Sequence, residues 1–288
     1  MSVEVAIPLG AGSAIVYGIS IVVQHQAAHT GSGEEDPHGL LRLLRDPRWL
    51  LAIGGDFIGF LLQIAALSTG SVVIVQPLVV LMLPVALITG SFLGGPRPRA
   101  KDYVSIAAVV GGVAGFLALV GRGGHPHVPD PWAAGVTVLV VLGLGTALCL
   151  AARGRGASLR GAMYGAVAGA CFGTLGVLVN TASHRIVDGR IISLLTHPSG
   201  IVTLAGIALL GTMGIVLTQV SFQVGALAAT LPANLSADPL LAVVLGVVLL
   251  REHLPHGPAF LAAYAVCLGL IMVGTIRLAA PTASSLAH

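Results

Sequence analysis

The sequence predicts an all-α membrane protein, a bundle of about nine transmembrane helices built from two inverted four-helix repeats joined by a central helix. Composition is the first reason: 56% of residues are hydrophobic, 9% are charged and the mean hydropathy is +0.96. Such a chain has too few polar residues to cover a water-soluble globule.

A sequence repeat is the second reason. When the chain is aligned with itself at a shift of 155 residues, Pro77 meets Pro232 and Pro84 meets Pro239. Further matches follow the same shift: Gly10 with Gly165, Gly18 with Gly173, Gly59 with Gly214, Gly70 with Gly225, and His29 with His184. Internal repeats of this kind are typical of secondary transporters.

Nine apolar segments are long enough to cross roughly 30 Å of hydrocarbon as helices, at about 1.5 Å per residue. They are residues 3–28, 49–69, 71–94, 103–121, 132–152, 161–184, 201–224, 226–250 and 259–276, which we number spans 1 to 9. These segments lack the two-residue alternation of barrel strands and are longer than such strands.

Each span has its own signature, beginning with the first four. No basic region precedes span 1 and Glu4 lies at its start, which predicts a retained helix and not a cleaved signal. Span 2 begins at Trp49, an interfacial residue type. Span 3 contains the first pair of matched prolines, and span 4 contains Gly111 and Gly115, a spacing that favours close helix packing.

The last five spans continue the pattern. Span 5 begins at Trp132 and has no partner in the repeat. Span 6 has a glycine every four residues, which predicts a packing face; these are Gly161, Gly165, Gly169 and Gly173. Span 7 contains Gln219 and Gln223 one turn apart, span 8 contains the second proline pair, and span 9 ends before Arg277.

Basic residues predict the orientation. Ten lie in one set of loops, namely Arg42, Arg45, Arg48, Arg97, Arg99, Lys101, Arg153, Arg155, Arg160 and Arg277; only Arg122, Arg185, Arg190 and Arg251 lie in the other. The positive-inside rule then places the N-terminus outside and the C-terminus in the cytoplasm of a cell (inner) membrane protein. Residues 1–128 form the first repeat, 129–156 the connecting span and 157–288 an inverted second repeat, all within one membrane domain.

Two carboxylates inside the apolar spans are the first candidate site residues. Asp56 lies in span 2 and Asp238 in span 8, where a charge costs roughly 2.5 to 3.5 kcal/mol on insertion scales. Thr230 and Asn234 precede Asp238 at four-residue spacing and share its helix face. Because the mirrored positions 75, 79 and 83 are apolar, we expect one asymmetric site. Each aspartate could instead be a structural group that holds helices together.

Further polar residues extend this candidate site. Ser13, Tyr17, Ser20 and Gln24 form a stripe along span 1, and Gln63 shares a face with Asp56. Asn180 and Gln219 lie in spans 6 and 7. Any one of them could simply join helices, but together they predict a water-accessible cavity. The prolines Pro77, Pro84, Pro232 and Pro239 predict kinked or locally unwound helices, since proline removes a backbone donor.

Several motifs resemble the drug/metabolite transporter superfamily, which includes the EamA-type permeases and the NIPA-like magnesium transporters. They are Ala-Ala-Leu at 65–67, Val-Gln-Pro-Leu at 75–78, Leu-Pro-Ala at 231–233, Asp-Pro-Leu at 238–240, Leu-Gly-Val at 245–247 and Arg-Glu-His-Leu at 251–254. Gly55 and Asp56 stand where the NIPA-like branch has Gly-Glu, and Arg97 stands where the first repeat would mirror Glu252. The resemblance implies membrane transport.

The leading hypothesis is a secondary transporter that moves a small polar or amphipathic metabolite or drug by alternating access, with Asp238 and Asp56 supplying proton or ion coupling. The alternative is a magnesium or divalent-cation transporter in which Asp56 and Asp238 bind the metal. A third possibility is a non-transporting membrane scaffold or lipid-binding protein. We expect no enzyme activity, no cofactor and no nucleic-acid partner; the lipid bilayer is the expected surrounding, and a homodimer through a glycine face stays open.

Overall fold

The computed structural model describes residues 3–31, 46–94, 97–121, 131–225, 227–252, 254–255 and 257–284. All regular elements in these ranges are α-helices, which confirms the predicted fold class. In chain order they are α1 Val3–Gly31, α2 Pro47–Thr69, α3 Val72–Val79, α4 Met82–Phe92, α5 Ala100–Val120, α6 Pro131–Ala152, α7 Ala157–Val187, α8 Ile191–Thr196, α9 Pro198–Val224, α10 Leu227–Val248 and α11 Pro258–Ser284.

In the described ranges, nine helical segments are long and apolar enough to cross a membrane, with α3 and α4 together forming span 3. Large apolar side chains cover the outside of the bundle; Leu51 is 76% exposed and Leu139 is 70% exposed. Only a surrounding bilayer makes such a surface favourable. The chain is therefore an integral membrane protein. Its orientation stays a prediction, and Arg42, Arg45 and Arg122 lie outside the described residues.

Span 3 is interrupted in its middle, as the prolines predicted. The α-helix ends at Val79 and restarts at Met82, and Pro84 lies near the new start. Pro84 has no N–H to donate to the Val80 carbonyl. That carbonyl accepts the Leu83 N–H at 3.2 Å instead. The break therefore supplies a local donor for the Val80 carbonyl.

Span 8 differs from its counterpart. Pro232 and Pro239 both lie inside α10, which is one uninterrupted α-helix from Leu227 to Val248. The expected local unwinding is therefore not found in span 8, although proline is matched at both positions. Neighbouring helices can hold a proline-containing helix together in this way.

Side-chain contacts repeat at the 155-residue shift. A Cβ atom built on Gly59 would lie 3.1 Å from the Tyr17 ring, and one built on Gly214 would lie 2.9 Å from the Phe172 ring. Both glycines thus make room for an aromatic ring at matching positions. Likewise Gly70 contacts Ala6, and Gly225 lies against Gly161.

Helix packing follows the same plan in both halves. α1 packs on α2 and on both parts of span 3, while α7 packs on α9 and α10. α5 and α11 pair with each other, and α6 lies against α7 and α9. The α3 half of span 3 connects the halves through contacts with α10 and α7, whereas the α4 half packs mainly on α1.

Candidate functional site

The polar stripe of α1 faces α2. The Ser13 hydroxyl donates to the Gly59 carbonyl at 2.8 Å, and the Gln24 side-chain amide donates to Asp56 Oδ2 at 2.6 Å. Ser20 is 4% exposed, and its hydroxyl occupies the space that a side chain on Gly55 would need. Ser13 and Ser20 therefore join the two helices, while Gln24 and Asp56 are only half-buried.

Tyr17 lies in the electrostatic field of both carboxylates predicted from sequence. Its hydroxyl donates to Gln63 Oε1 at 3.3 Å, and the phenol lies within electrostatic range of both Asp56 and Asp238. Tyr17 and Gln63 are half-buried. Side chains from α1, α2 and α10 thus converge, although their positions are far apart in the chain.

The glycine face of α7 holds the polar face of α10 in place. A Cβ atom built on Gly165 would lie 2.5 Å from the Thr230 carbonyl oxygen. Cβ atoms on Gly169 and Gly173 would collide with the carbonyl oxygens of Asn234 and Asp238. The four-residue glycine spacing therefore matches the four-residue spacing of Thr230, Asn234 and Asp238. Backbones at this distance can contact each other directly.

Asp238 has one unsatisfied oxygen. Its Oδ1 is buried and has no hydrogen-bond partner among the described residues. No ion pair of Asp238 or Asp56 with a basic side chain occurs in the described ranges, and the nearest polar partner of Asp56 is Gln24. A buried carboxylate oxygen in a low-dielectric environment needs a proton, a cation or a donor.

Sequence analysis missed Thr218. Its hydroxyl accepts from the Asn234 side-chain amide at 2.9 Å, which attaches the polar face of α10 to α9. Gln219, the predicted candidate, is exposed beside it. Thr230 is fully buried, with its methyl group near Gly161. Threonine is common in membrane helices, so Thr218 carried no signal until the helices were packed.

Asn180 belongs to a second cluster and lies away from the two aspartates. Its side-chain amide donates to the Leu67 carbonyl at 2.6 Å and the Gly70 carbonyl at 3.1 Å. Glu252 lies at the same end of the bundle and accepts the N–H groups of Val72 and Val73. Burial raises the pKa of Glu252, and the two backbone hydrogen bonds oppose that rise.

The arrangement of side chains around Asp56 and Asp238 gives limited support for a metal site. In the described part of the chain, no three His, Cys, Asp or Glu side chains form a group that could hold a metal ion. A cation bound here would therefore use the two carboxylates with amide, hydroxyl or carbonyl oxygens. Mg²⁺ keeps several waters when bound, so a pair of carboxylates does not exclude it.

Comparison with known proteins gives one relative to report. The chain is 29% identical over 281 residues to an uncharacterized protein of Corynebacterium glutamicum, covering 95% of this chain and 94% of that protein. No family model matches the sequence. No solved structure matches it either.

Proposed function

We propose that this protein is a secondary transporter that carries a small polar or amphipathic metabolite or drug across the membrane by alternating access, coupled to a proton or another ion. The observation that carries the proposal is the pair of carboxylates within apolar spans, Asp56 and Asp238, both of which interact electrostatically with Tyr17. Neither has a basic partner in the described ranges.

A purely structural role does not explain this pair well. Structural carboxylates in membranes pair with other groups, because an unpaired one is costly. In the described part of the chain, Asp238 instead keeps a buried oxygen without a hydrogen-bond partner, and Gln24 donates to only one oxygen of Asp56. A positively charged group on the solute would be stabilised by both carboxylates, and a proton could replace it when the solute leaves. This exchange would couple solute and proton movement.

Uptake into proteoliposomes tests the proposal. Because the solute is unidentified, purified protein is first screened by thermal shift against monoamines, diamines, zwitterionic amino acids and Mg²⁺. Solutes that stabilise it are then offered to proteoliposomes with an imposed pH gradient. We expect uptake that depends on the gradient and falls at least about tenfold in Asp238→Asn, equivalent to about 1.4 kcal/mol.

Asp188→Asn is the matched control, because Asp188 is an exposed carboxylate in the connection after α7. It should transport like the wild type. Uptake that is unchanged in Asp238→Asn, with the same pH dependence, would remove Asp238 from the mechanism. If no solute stabilises the protein or enters the vesicles, the transporter proposal itself fails.

A divalent-cation transporter is the second candidate, favoured by the presence of two intramembrane carboxylates. Its distinguishing result is stabilisation by Mg²⁺ alone that disappears in both Asp56→Asn and Asp238→Asn. Stabilisation by organic solutes with no response to Mg²⁺, Mn²⁺ or Ca²⁺ would exclude this candidate.

A further inference from the structure

Glu252 ties the two halves of the bundle together at one end. Its carboxylate accepts the Val72 N–H at 2.8 Å and the Val73 N–H at 3.0 Å. These are the first N–H groups of α3, which have no partner within their own helix. A carboxylate also interacts favourably with the positive end of the helix dipole. Glu252 itself is only 4% exposed.

The chain after α10 is shaped to place this carboxylate. The N–H groups of Leu249 and Leu250 both reach the Leu245 carbonyl, and Arg251 has a φ of 52°, a left-handed conformation. The Glu252 N–H then returns to the Gly246 carbonyl at 3.0 Å. A Cβ atom on Gly246 would lie 2.9 Å from Val73 and 3.1 Å from Glu252 Oε2, so the turn requires the space that glycine leaves.

Asn180 makes a second connection at the same end. It is fully buried and binds the carbonyls of Leu67 and Gly70, which lie just before α3. Gln76, 1% exposed, occupies the space beside Gly176 on α7. The corner between α2 and α3 is therefore held by Asn180 of α7 on one side and by Glu252, in the segment that follows α10, on the other.

Among the described residues, the mirrored position at the opposite end has no counterpart of the Glu252 carboxylate. By the 155-residue shift, the position that mirrors Glu252 is Arg97, an exposed residue. A guanidinium has no acceptor, so it cannot bind the free N–H groups at a helix start. The α4 half of span 3 packs mainly on α1, and its contacts with the second half of the chain are with α11.

We propose that Glu252 and Asn180 form a clasp on the α2–α3 corner that holds the two halves of the bundle closed at one end, and that the transport cycle is asymmetric because Arg97, at the mirrored position, cannot form the same contact. The basic-residue distribution predicts that the clasped end is the outer one. The role of the clasp in a transport cycle rests on the proposed transport function. The closure itself is a property of the resting protein.

Distances between spin labels test the closure directly. In a variant whose three cysteines are replaced, Glu4→Cys and Arg190→Cys place labels on exposed residues of the two halves. By the predicted topology, both lie at the clasped end. Double electron–electron resonance on the full-length protein in lipid nanodiscs then measures the distance between the two labels, which is short when that end is closed. When Glu252 and Asn180 are both intact, we expect a single narrow distribution of the distance between the two labels.

Glu252→Ala should add a longer distance and raise the ratio of open to closed protein by about tenfold, equivalent to about 1.4 kcal/mol. Asn180→Leu, which keeps the side chain's approximate volume, should do the same. Asp102→Ala is the matched control: Asp102 also accepts a backbone N–H at a helix start, from Arg99 at 2.7 Å, but within one half of the chain. It should leave the distance unchanged.

The measurement requires no substrate, so its failure is separate from failure of the transport proposal. An unchanged distance distribution in both Glu252→Ala and Asn180→Leu would overturn the clasp, even if the protein transports solutes. If the longer distance does arise in both variants, the clasp stands, whether or not a transported solute is found. A longer distance in Asp102→Ala as well would also overturn the proposal, because the opening would then be a general effect of losing a helix-start carboxylate.

Discussion

The glycine face of α7 offers the sharpest test of how the site is positioned. In Gly169→Ala the new methyl group would collide with the Asn234 carbonyl oxygen and lie 3.0 Å from the Ala237 side chain. Because a backbone carbonyl in a packed helix cannot rotate away as a flexible side chain could, α7 and α10 must separate. The polar face that contains Asn234 and Asp238 moves with them.

The cost can be estimated from two opposing effects. Overpacking a tight contact costs typically about 1–3 kcal/mol, while alanine in place of glycine within a helix contributes roughly 0.5–1 kcal/mol of stability. The net loss is therefore up to roughly 2.5 kcal/mol. At about 2–4 °C per kcal/mol, thermal unfolding should begin several degrees lower.

Thermal unfolding of the purified protein, followed by intrinsic tryptophan fluorescence, is the assay. Gly111→Ala is the matched control, since a Cβ atom there meets nothing within 4 Å. It should leave the unfolding temperature unchanged or raise it slightly. If Gly169→Ala unfolds at or above the temperature of Gly111→Ala, the close approach of α7 and α10 is not what positions the polar face.

The remaining predictions concern Glu252, the polar stripe of α1 and the Thr218–Asn234 hydrogen bond. Burial raises the pKa of Glu252 above its ordinary value of 4.5, so its stabilising contribution is full below about that pH and is lost as pH rises through the raised value. The unfolding temperature of the wild type relative to Glu252→Gln should therefore fall with increasing pH; a rise would show that the hydrogen bonds from Val72 and Val73 outweigh burial. Along α1, cysteines at Tyr17 and Gln24 should react with a water-soluble maleimide, whereas cysteines at the buried Ser13 and Ser20 should not. Equal protection of all four positions would favour the scaffold hypothesis over a transport cavity. Thr218→Val should cost about 0.5–1.5 kcal/mol of stability, because the Asn234 amide loses its acceptor. Urea unfolding of this variant is compared with Thr137→Val, in which the lost hydroxyl bonds only to the Ala133 carbonyl of its own helix.

The sequence by itself determined the membrane class, the nine spans and the 155-residue repeat. Each of these depends on local quantities, namely apolar segment length and the positions of glycine and proline, which do not require knowledge of contacts. Asp56 and Asp238 were also found from sequence, because a carboxylate within an apolar span is conspicuous wherever it lies.

Tertiary structure alone decided which polar residues meet. Asn180 and Gln24 have similar polarity, yet one binds the α2–α3 corner and the other binds Asp56, since helix rotation and partner choice depend on packing across the bundle. The matched prolines likewise interrupt span 3 but leave α10 continuous. The glycine contacts show the same limit: they fix how closely α7 approaches α10, but a one-dimensional pattern gives only the spacing of such a face and not the helix that it contacts.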